Sequence, residues 1–324
     1  MVSTRAEQEP GERVVAVVVA YNRADLLERT LGGLAGQTRP LDAVVVVDNA
    51  STDDSAERSA RQPVVTEVVR LPRNTGGAGG FAAGIARALE RHHATLVWVM
   101  DDDTVPAADA LAALLHARAN YPGTPVLLAS RADWHDGREH PMNTPRERPF
   151  VSPVLRRRAA GVGARHIRSA SFVSVLVDAR IVRERGLPVA SYFLWNDDFE
   201  YTARLLRRRV GLYVPASRVF HLTRVFGASD ADPGPRFFNE VRNKVWVFTR
   251  SSALGPLDRV LYAGATVLRW CRTIRRAQDR SAMVRLLWKG LNAGLTPPVT
   301  NVEVFRDTPV AEDVAAVERG VLRA

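Results

Sequence analysis

The 324-residue chain is 46% hydrophobic and 25% charged, which is enough apolar content for a large buried core and is not the composition of a disordered chain. Its formal charge of +10 comes from 45 basic against 35 acidic residues, and the lone Cys271 excludes a disulfide framework or a multi-cysteine metal site. The basicity is regional and almost all arginine: residues 1–130 carry 12 basic and 16 acidic side chains, residues 131–240 carry 19 and 12, and residues 241–324 carry 14 and 7.

Residues 1–12 are polar, contain three glutamates and predict a disordered tail that is neither a signal peptide nor a membrane anchor. Val14 to Ala20 is an unbroken, largely β-branched apolar run, the signature of a strand buried on both faces of a parallel sheet. Similar runs recur at 43–47, 64–69, 96–100 and 126–129, with segments of helical period between them, including one that Pro106 introduces. This alternation predicts a doubly wound, mostly parallel α/β domain with ligands at the carboxyl ends of its strands. Residues 131–166, rich in proline and arginine, read as an inserted loop. Beyond it, 171–177 has strand character, 197–209 looks helical and 211–214 is a short strand. Residues 257–291 form an amphipathic helical segment with Arg269, Arg272 and Arg276 on one face. Its apolar stretch at 260–268 is well below the roughly 18 residues of a membrane span.

Three constellations carry chemistry. In Trp98-Val99-Met100-Asp101-Asp102-Asp103, adjacent carboxylates directly follow a buried strand. Mutual repulsion and desolvation call for a compensating cation, most simply Mg2+ or Mn2+ shared with the phosphates of a nucleotide. A solvated loop or a helix cap would carry the same residues. Arg73-Asn74-Thr75-Gly76-Gly77-Ala78-Gly79-Gly80-Phe81 follows a strand and opens a helix, so its backbone can approach a ligand or simply turn. It is neither a Walker loop nor a dinucleotide fingerprint. In Trp195-Asn196-Asp197-Asp198-Phe199-Glu200, Asp197 and Glu200 share a helix face. One carboxylate there would serve as a general base, although acids also suit a helix N-terminus. His221, a few residues past a strand, could complete the metal shell or be structural.

Together with Val14 to Arg23 and Val47-Asp48-Asn49-Ala50-Ser51-Thr52-Asp53, these motifs occur in the order found in family 2 glycosyltransferases of GT-A fold, which the chain resembles over roughly residues 13–250. Arg-Asn-x-Gly-Gly-Ala-Gly-Gly-Phe and Pro233-Gly234-Pro235-Arg236-Phe237-Phe238 ahead of Arg242-Asn243 look most like actinobacterial galactofuranosyltransferases that begin galactan synthesis on a lipid-linked disaccharide. Rhamnosyltransferases share much of the pattern. The resemblance implies a metal-dependent, inverting transfer from a nucleotide-sugar donor, UDP-galactofuranose or alternatively dTDP-rhamnose, to a lipid-linked or oligosaccharide acceptor. It implies that Asp48, Arg73, Asp101 and Asp102 bind the donor and that Asp103 and His221 hold Mn2+ or Mg2+. It also makes Asp198 the base and lines the acceptor with Trp195, Asp197 and Glu200. Relatives often place the aromatic residue directly before the first acid, whereas Asn196 intervenes here, so Asp197 is the alternative base.

The resemblance sets the domain at 13–250, followed by a helical region at 251–324. An acceptor on a membrane lipid gives the arginine-faced helix a reading as a peripheral contact with the inner face of the cell membrane, against packing on the domain or a second copy. A phosphohydrolase of the haloacid dehalogenase type is a rival for Met100 to Val105, though its threonine would stand one position later and its loop on the first strand. A nucleic-acid binder is disfavoured by the acidic first half and by the absence of a recognisable module.

Overall fold

The computed structural model describes residues 11–223, 226 and 233–321. The predicted tail therefore lies outside the described residues except for Gly11 and Glu12, and the Glu12 carboxylate accepts from Arg118. Strand β1 (Val14–Ala20) is buried at every position. Helix α1 (Ala24–Ala35) leads to β2 (Ala43–Asp48), α2 (Ser55–Ala60), β3 (Glu67–Arg70), α3 (Gly76–Glu90) and β4 (Leu96–Asp101). These four strands are parallel in the order β3-β2-β1-β4. Alternate residues face opposite layers. Val15, Val17 and Val19 pack with Phe81 and Ile85 of α3, while Val14, Ala16 and Val18 pack with Leu27, Leu31 and Leu34 of α1.

After the short β5 (Thr104–Pro106) and α4 (Ala110–Asn120), strand β6 (Leu127–Asp133) begins the second half of the sheet. The segment at 131–166 is not a plain loop. It holds the end of β6, then β7 (Arg146–Glu147), α5 (Pro153–Ala160) and the start of β8 (Arg165–Ser169). Ser152 caps α5 by accepting from Leu155 N, and Pro153 occupies the first turn, where its missing N–H costs nothing. Strand β9 (Val175–Asp178) runs antiparallel between β4 and β6, so the sheet is mixed. Helices α6 (Ala179–Arg185) and α7 (Asp197–Leu206) precede β10 (Gly211–His221), which is parallel to β6 and antiparallel to β5 and β8. Strand β10 extends seven residues past the predicted end at Val214. The ladder shifts register between Val214 and Arg218, around Pro215, which cannot donate, and then resumes to His221.

Helices α8 (Phe237–Thr249), α9 (Pro256–Arg276), α10 (Arg280–Leu295), α11 (Asn301–Val304) and α12 (Ala311–Arg319) complete the chain. The predicted amphipathic segment is thus two helices, broken at Ala277 and restarted by Asp279, whose carboxylate accepts from Ala282 N at 2.8 Å. The last helices are not a separate appendage. Phe305, Val310, Val314 and Val317 belong to the same core as β1 and α3, and Asp313 pairs with Arg91 at 3.0 Å. Helix α9 is different: Leu257, Val260, Leu261 and Leu268 are 73%, 70%, 61% and 60% exposed, so its apolar stripe faces outward while Thr266 and Trp270 pack inward. No described helix is long and apolar enough to cross a membrane.

Helix α3 lies close on the sheet because it has glycines where it crosses β1. A Cβ at Gly84 would stand 2.3 Å from Val17 Cγ1 and 2.9 Å from Val47 Cγ2. Gly84→Ala is therefore expected to cost about 1–3 kcal/mol by overpacking. Gly264→Ala on α9, with open space around it, should gain up to about 1 kcal/mol of helix propensity. Urea midpoints of the two variants should move in opposite directions.

Candidate active site

The carboxyl ends of β4 and β10 meet through β5. His221 pairs with Thr104, and Leu222 N donates to Asp103 O at 2.9 Å, which fixes the acidic turn against the end of β10. One donor atom each from Asp101, Asp103 and His221 lie within 4.8 Å of one another. Asp103 Oδ1 stands 3.1 Å from His221 Nε2, yet this buried oxygen accepts no aligned hydrogen bond among the described residues. Two carboxylates and an imidazole of this kind fit a hard divalent cation that also takes phosphate oxygens.

The compensation expected of a metal alone is shared with a residue the sequence reading gave no role. Arg23 Nη1 donates to Asp103 Oδ2 at 2.6 Å and to Asp102 Oδ1 at 3.2 Å. Asp102 also accepts from Tyr21 N at 3.1 Å, and its carbonyl accepts from Thr30 Oγ1. The Asp102 side chain thus ties the acidic turn to the end of β1. Burial, then the Asp103 charge, pushes Asp101 up to about 7. Burial lifts Asp102 to about 6 against the pull of Arg23. Burial acts on Asp103 in the same sense, but His221 and Arg23 outweigh it and hold that carboxyl below its ordinary value.

Asp48 closes β2, buried, with Oδ1 accepting from Ser51 N at 3.3 Å. Its neighbour Asn49 organises the glycine-rich turn: Oδ1 accepts from Thr75 N at 2.8 Å, and Nδ2 donates to Gly76 O at 2.9 Å. Gly76 has φ +70°, and a Cβ there would meet Phe193 O at 1.9 Å, so only glycine fits. The Arg73 guanidinium donates to Val304 O of α11, joining this edge of the site to the C-terminal helices.

The second acidic cluster enters from the other side. Phe193, Trp195 and Asn196 all have positive φ, an uncommon conformation for three non-glycine residues within four. The strain is held by α8: Asn243 Nδ2 donates to the carbonyls of Tyr192, Leu194 and Trp195 at 2.7–2.9 Å, and Arg242 Nη2 to those of Ser191 and Tyr192 at 3.0 Å. Asn196 Nδ2 donates to Glu240 Oε2 at 2.6 Å. Asp197 and Asp198 then open α7, with Trp195 half-buried ahead of them. Asp197 Oδ2 lies 4.0 Å from the Cβ position of Gly77, so it faces the start of α3. Burial, then Asp198, raises Asp197 well above its ordinary value, and Asp101 adds to the effect. Burial also raises Asp198, opposed by its hydrogen bond from Phe199 N at 2.6 Å and by Lys244 and Arg146. Lys244, itself pushed down to about 8 by burial, has its ammonium 4.7 Å from the Phe199 ring centroid.

Glu200 does not join these acids. It is turned inward, with Oε1 accepting from Arg204 Nε at 2.8 Å and Ser251 Oγ at 2.6 Å, and it anchors α7 to the chain after α8. At i and i+3 it shares a helix side with Asp197, but the first turn of α7 lies at the cleft while Glu200 reaches the interior.

The family model described as Glycosyl transferase family 2 matches residues 15–180. The chain belongs to that family. It is 32% identical over 261 residues to galactofuranosyltransferase GlfT1 of Mycobacterium tuberculosis, an alignment covering 74% of this chain and 83% of the relative. Among solved structures it resembles S. aureus TarS 1-349 in complex with UDP-GlcNAc (TM-score 0.60, 14% identity, 96% of this chain and 93% of that one). It also resembles GalNAc-T7 with UDP, GalNAc and Mn2+ (TM-score 0.57, 16% identity); 94% of this chain is covered, and it spans 58% of the length of that protein. The fold is therefore GT-A-like, the protein is a glycosyltransferase, and the phosphohydrolase alternative for Met100 to Val105 is set aside.

Asn243→Ala should leave the carbonyls of Leu194 and Trp195 without this donor, while Tyr192 O keeps Arg242, at about 1–3 kcal/mol for unsatisfied buried groups. Limited proteolysis should then cut within 192–196 faster than in the parent, before any global loss of helix signal by circular dichroism.

Proposed function

We propose that this glycosyltransferase is metal-dependent and inverting, and that it moves galactofuranose from UDP-galactofuranose to a lipid-linked saccharide in cell-wall or surface-glycan synthesis. The observation that carries the reading is the convergence of Asp101, Asp103 and His221, whose ligand atoms lie within 4.8 Å of one another, in a chain 32% identical to GlfT1, with Asp197 and Asp198 opening α7 against the glycine-rich start of α3. Asp48, Arg73 and Asp101 serve the nucleotide, and Asp102 sets the turn through Arg23 and Tyr21. Asp103 and His221, with Asp101 close by, would hold Mn2+ or Mg2+, which supplies charge neutralisation on the departing diphosphate. Trp195 and Asp197 line the acceptor.

Asp198 is the base, with Asp197 as its alternative. Its carboxylate takes the proton of the acceptor hydroxyl, whose oxygen attacks the anomeric carbon on the face opposite the diphosphate. The new C–O bond forms as the bond to the diphosphate breaks, and the anomeric configuration inverts in one displacement. Lys244 and Arg146 favour the ionised form of Asp198 that this step needs.

The reaction is tested with purified protein, Mn2+, a rhamnosyl-GlcNAc lipid and, in turn, UDP-galactofuranose, UDP-galactopyranose, dTDP-rhamnose and UDP-GlcNAc. UDP release with UDP-galactofuranose is expected; dTDP release from dTDP-rhamnose alone would replace the donor. Asp198→Asn should lower kcat on the order of 10²–10⁴-fold, and full activity in that variant would move the base to Asp197. Because the pKa of Asp198 is raised, the active ionised form is lost as pH falls through a value above its usual 3.8. Lys244→Met removes an opposing cation and should shift the acid limb of the rate profile further upward.

The outward stripe of α9 supports docking on an anionic membrane surface. Residues 256–295 carry 8 basic and 2 acidic side chains, with Arg272, Arg275 and Arg276 exposed at the end of the apolar stripe. A second copy packed there would oppose like charges, whereas acidic lipid headgroups complement them. The full chain should float with vesicles containing phosphatidylglycerol and float less at high salt. The doubly substituted Leu261→Glu, Leu268→Glu protein should stay unbound while retaining activity on a soluble acceptor. Unchanged flotation would overturn the docking face, and loss of a dimer by light scattering in that variant would assign the stripe to a second copy.

A further inference from the structure

His221 presents its two ring nitrogens to different partners. Nε2 faces Asp103 Oδ1 at 3.1 Å, and Nδ1 lies 2.8 Å from Asn143 Oδ1. At its other end the Asn143 amide is held by Ser171, with Nδ2 donating to Ser171 Oγ at 3.2 Å. Its backbone is fixed as well, with Asn143 N donating to His140 O at 3.0 Å. His140 is itself anchored to Thr223 through Nε2 at 3.1 Å, and its ring centroid is 5.5 Å from that of His221. Asn143 and His221 are both buried.

An amide oxygen only accepts, so the nitrogen facing it must carry the hydrogen. A carboxylate also only accepts, so Asp103 on its own would draw the hydrogen of a neutral imidazole to Nε2, pointing it into the space between the acids. The two neighbours therefore favour opposite tautomers. Only the one selected by Asn143 leaves Nε2 without a hydrogen, its lone pair free on the edge of the ring near Asp103.

We propose that Asn143 is a positioning residue for His221, holding its Nδ1–H tautomer and ring orientation so that Nε2 is presented as a ligand atom. This rests on the metal-site reading above. Such partners of metal-binding histidines are usually a carboxylate, carbonyl or water, and losing one typically costs 10–100-fold in metal affinity. A neutral amide does this without adding a fourth negative charge beside Asp101, Asp102 and Asp103. It also gives the segment at 131–166 a function, since Asn143 reaches the end of β10 from within it.

The test uses the full chain with saturating UDP. Mn2+ binding followed by electron paramagnetic resonance should weaken about 10–100-fold in Asn143→Leu. Asn143→Asp, which keeps an acceptor for Nδ1–H, should stay close to the parent. In the Mg2+–UDP complex at pH 8, long-range 1H–15N spectra should show the hydrogen of His221 on Nδ1 in the parent and in Asn143→Asp. Hydrogen on Nε2 in the parent, or unchanged Mn2+ affinity in Asn143→Leu alongside weakened affinity in His221→Ala, overturns the proposal. Unchanged affinity in His221→Ala overturns instead the metal site on which it rests. Asn143→Ala gives the same comparison should the leucine variant not fold.

Discussion

The constraint on which the site depends is the burial of like charge. Asp101, Asp102 and Asp103 stand at the end of a buried strand, and Asp197 and Asp198 open a helix that faces them closely enough for Asp101 to raise Asp197. A carboxylate leaves water only if something replaces its hydration. On one side the replacements are Arg23, which reaches both Asp102 and Asp103, the backbone N–H of Tyr21, and His221. On the other they are the N–H of Phe199 with Lys244 and Arg146. The compensation is uneven. Asp103 is held below its ordinary value while Asp101 and Asp197 are raised above theirs, so chemically identical side chains at this cleft differ in how readily they ionise.

Holding the second cluster in place costs backbone strain, which α8 offsets. Three left-handed residues between 193 and 196 let the chain turn sharply into α7, bringing Asp197 against the glycine-rich start of α3. The Asn243 amide gathers the carbonyls freed by that turn, and Glu240 one helical turn earlier holds Asn196. Glu240 also accepts from Arg269 of α9 at 3.1 Å. A continuous set of hydrogen bonds therefore runs from the outward-facing helix to the residue preceding the two acids. Asn196, which departs from the usual family pattern, is the residue that makes this connection.

Much of the fold was legible because β1, β2 and β4 are unbroken apolar runs, and such runs have one stable setting, between two layers of helices. The acidic turn and the α7 acids were legible as motifs because adjacent carboxylates are costly to bury without compensation and stood in a recognisable order along the chain. What escaped has local causes. The short strand expected at 211–214 continues past Pro215, because a register shift carries the ladder beyond it and delivers His221 to Asp103. Ser152-Pro153 looked like loop composition but is a capped helix start. Glu200 shared a helix face with Asp197 by spacing, yet pairs with Arg204 and Ser251, contacts that only tertiary packing creates. Arg23 closed a family motif without a role, and Asn143 stood in none, because each acts on residues about 80 positions away.

The regional charge now has a spatial meaning. The acidic residues of the first 130 include the Asp101–Asp103 turn, which Arg23 compensates from the chain itself and a divalent ion would compensate in the function proposed. The basic excess of residues 241–324 lies largely on α9 and α10, around the apolar stripe that no other part of the described chain covers. Placing arginine beside exposed leucine and valine makes this face both cationic and apolar, the character on which the docking proposed above rests. The +10 total therefore combines an acidic first region with two basic ones, 131–240 and 241–324, and the Arg269–Glu240–Asn196 contacts join the basic exterior to the acidic cleft.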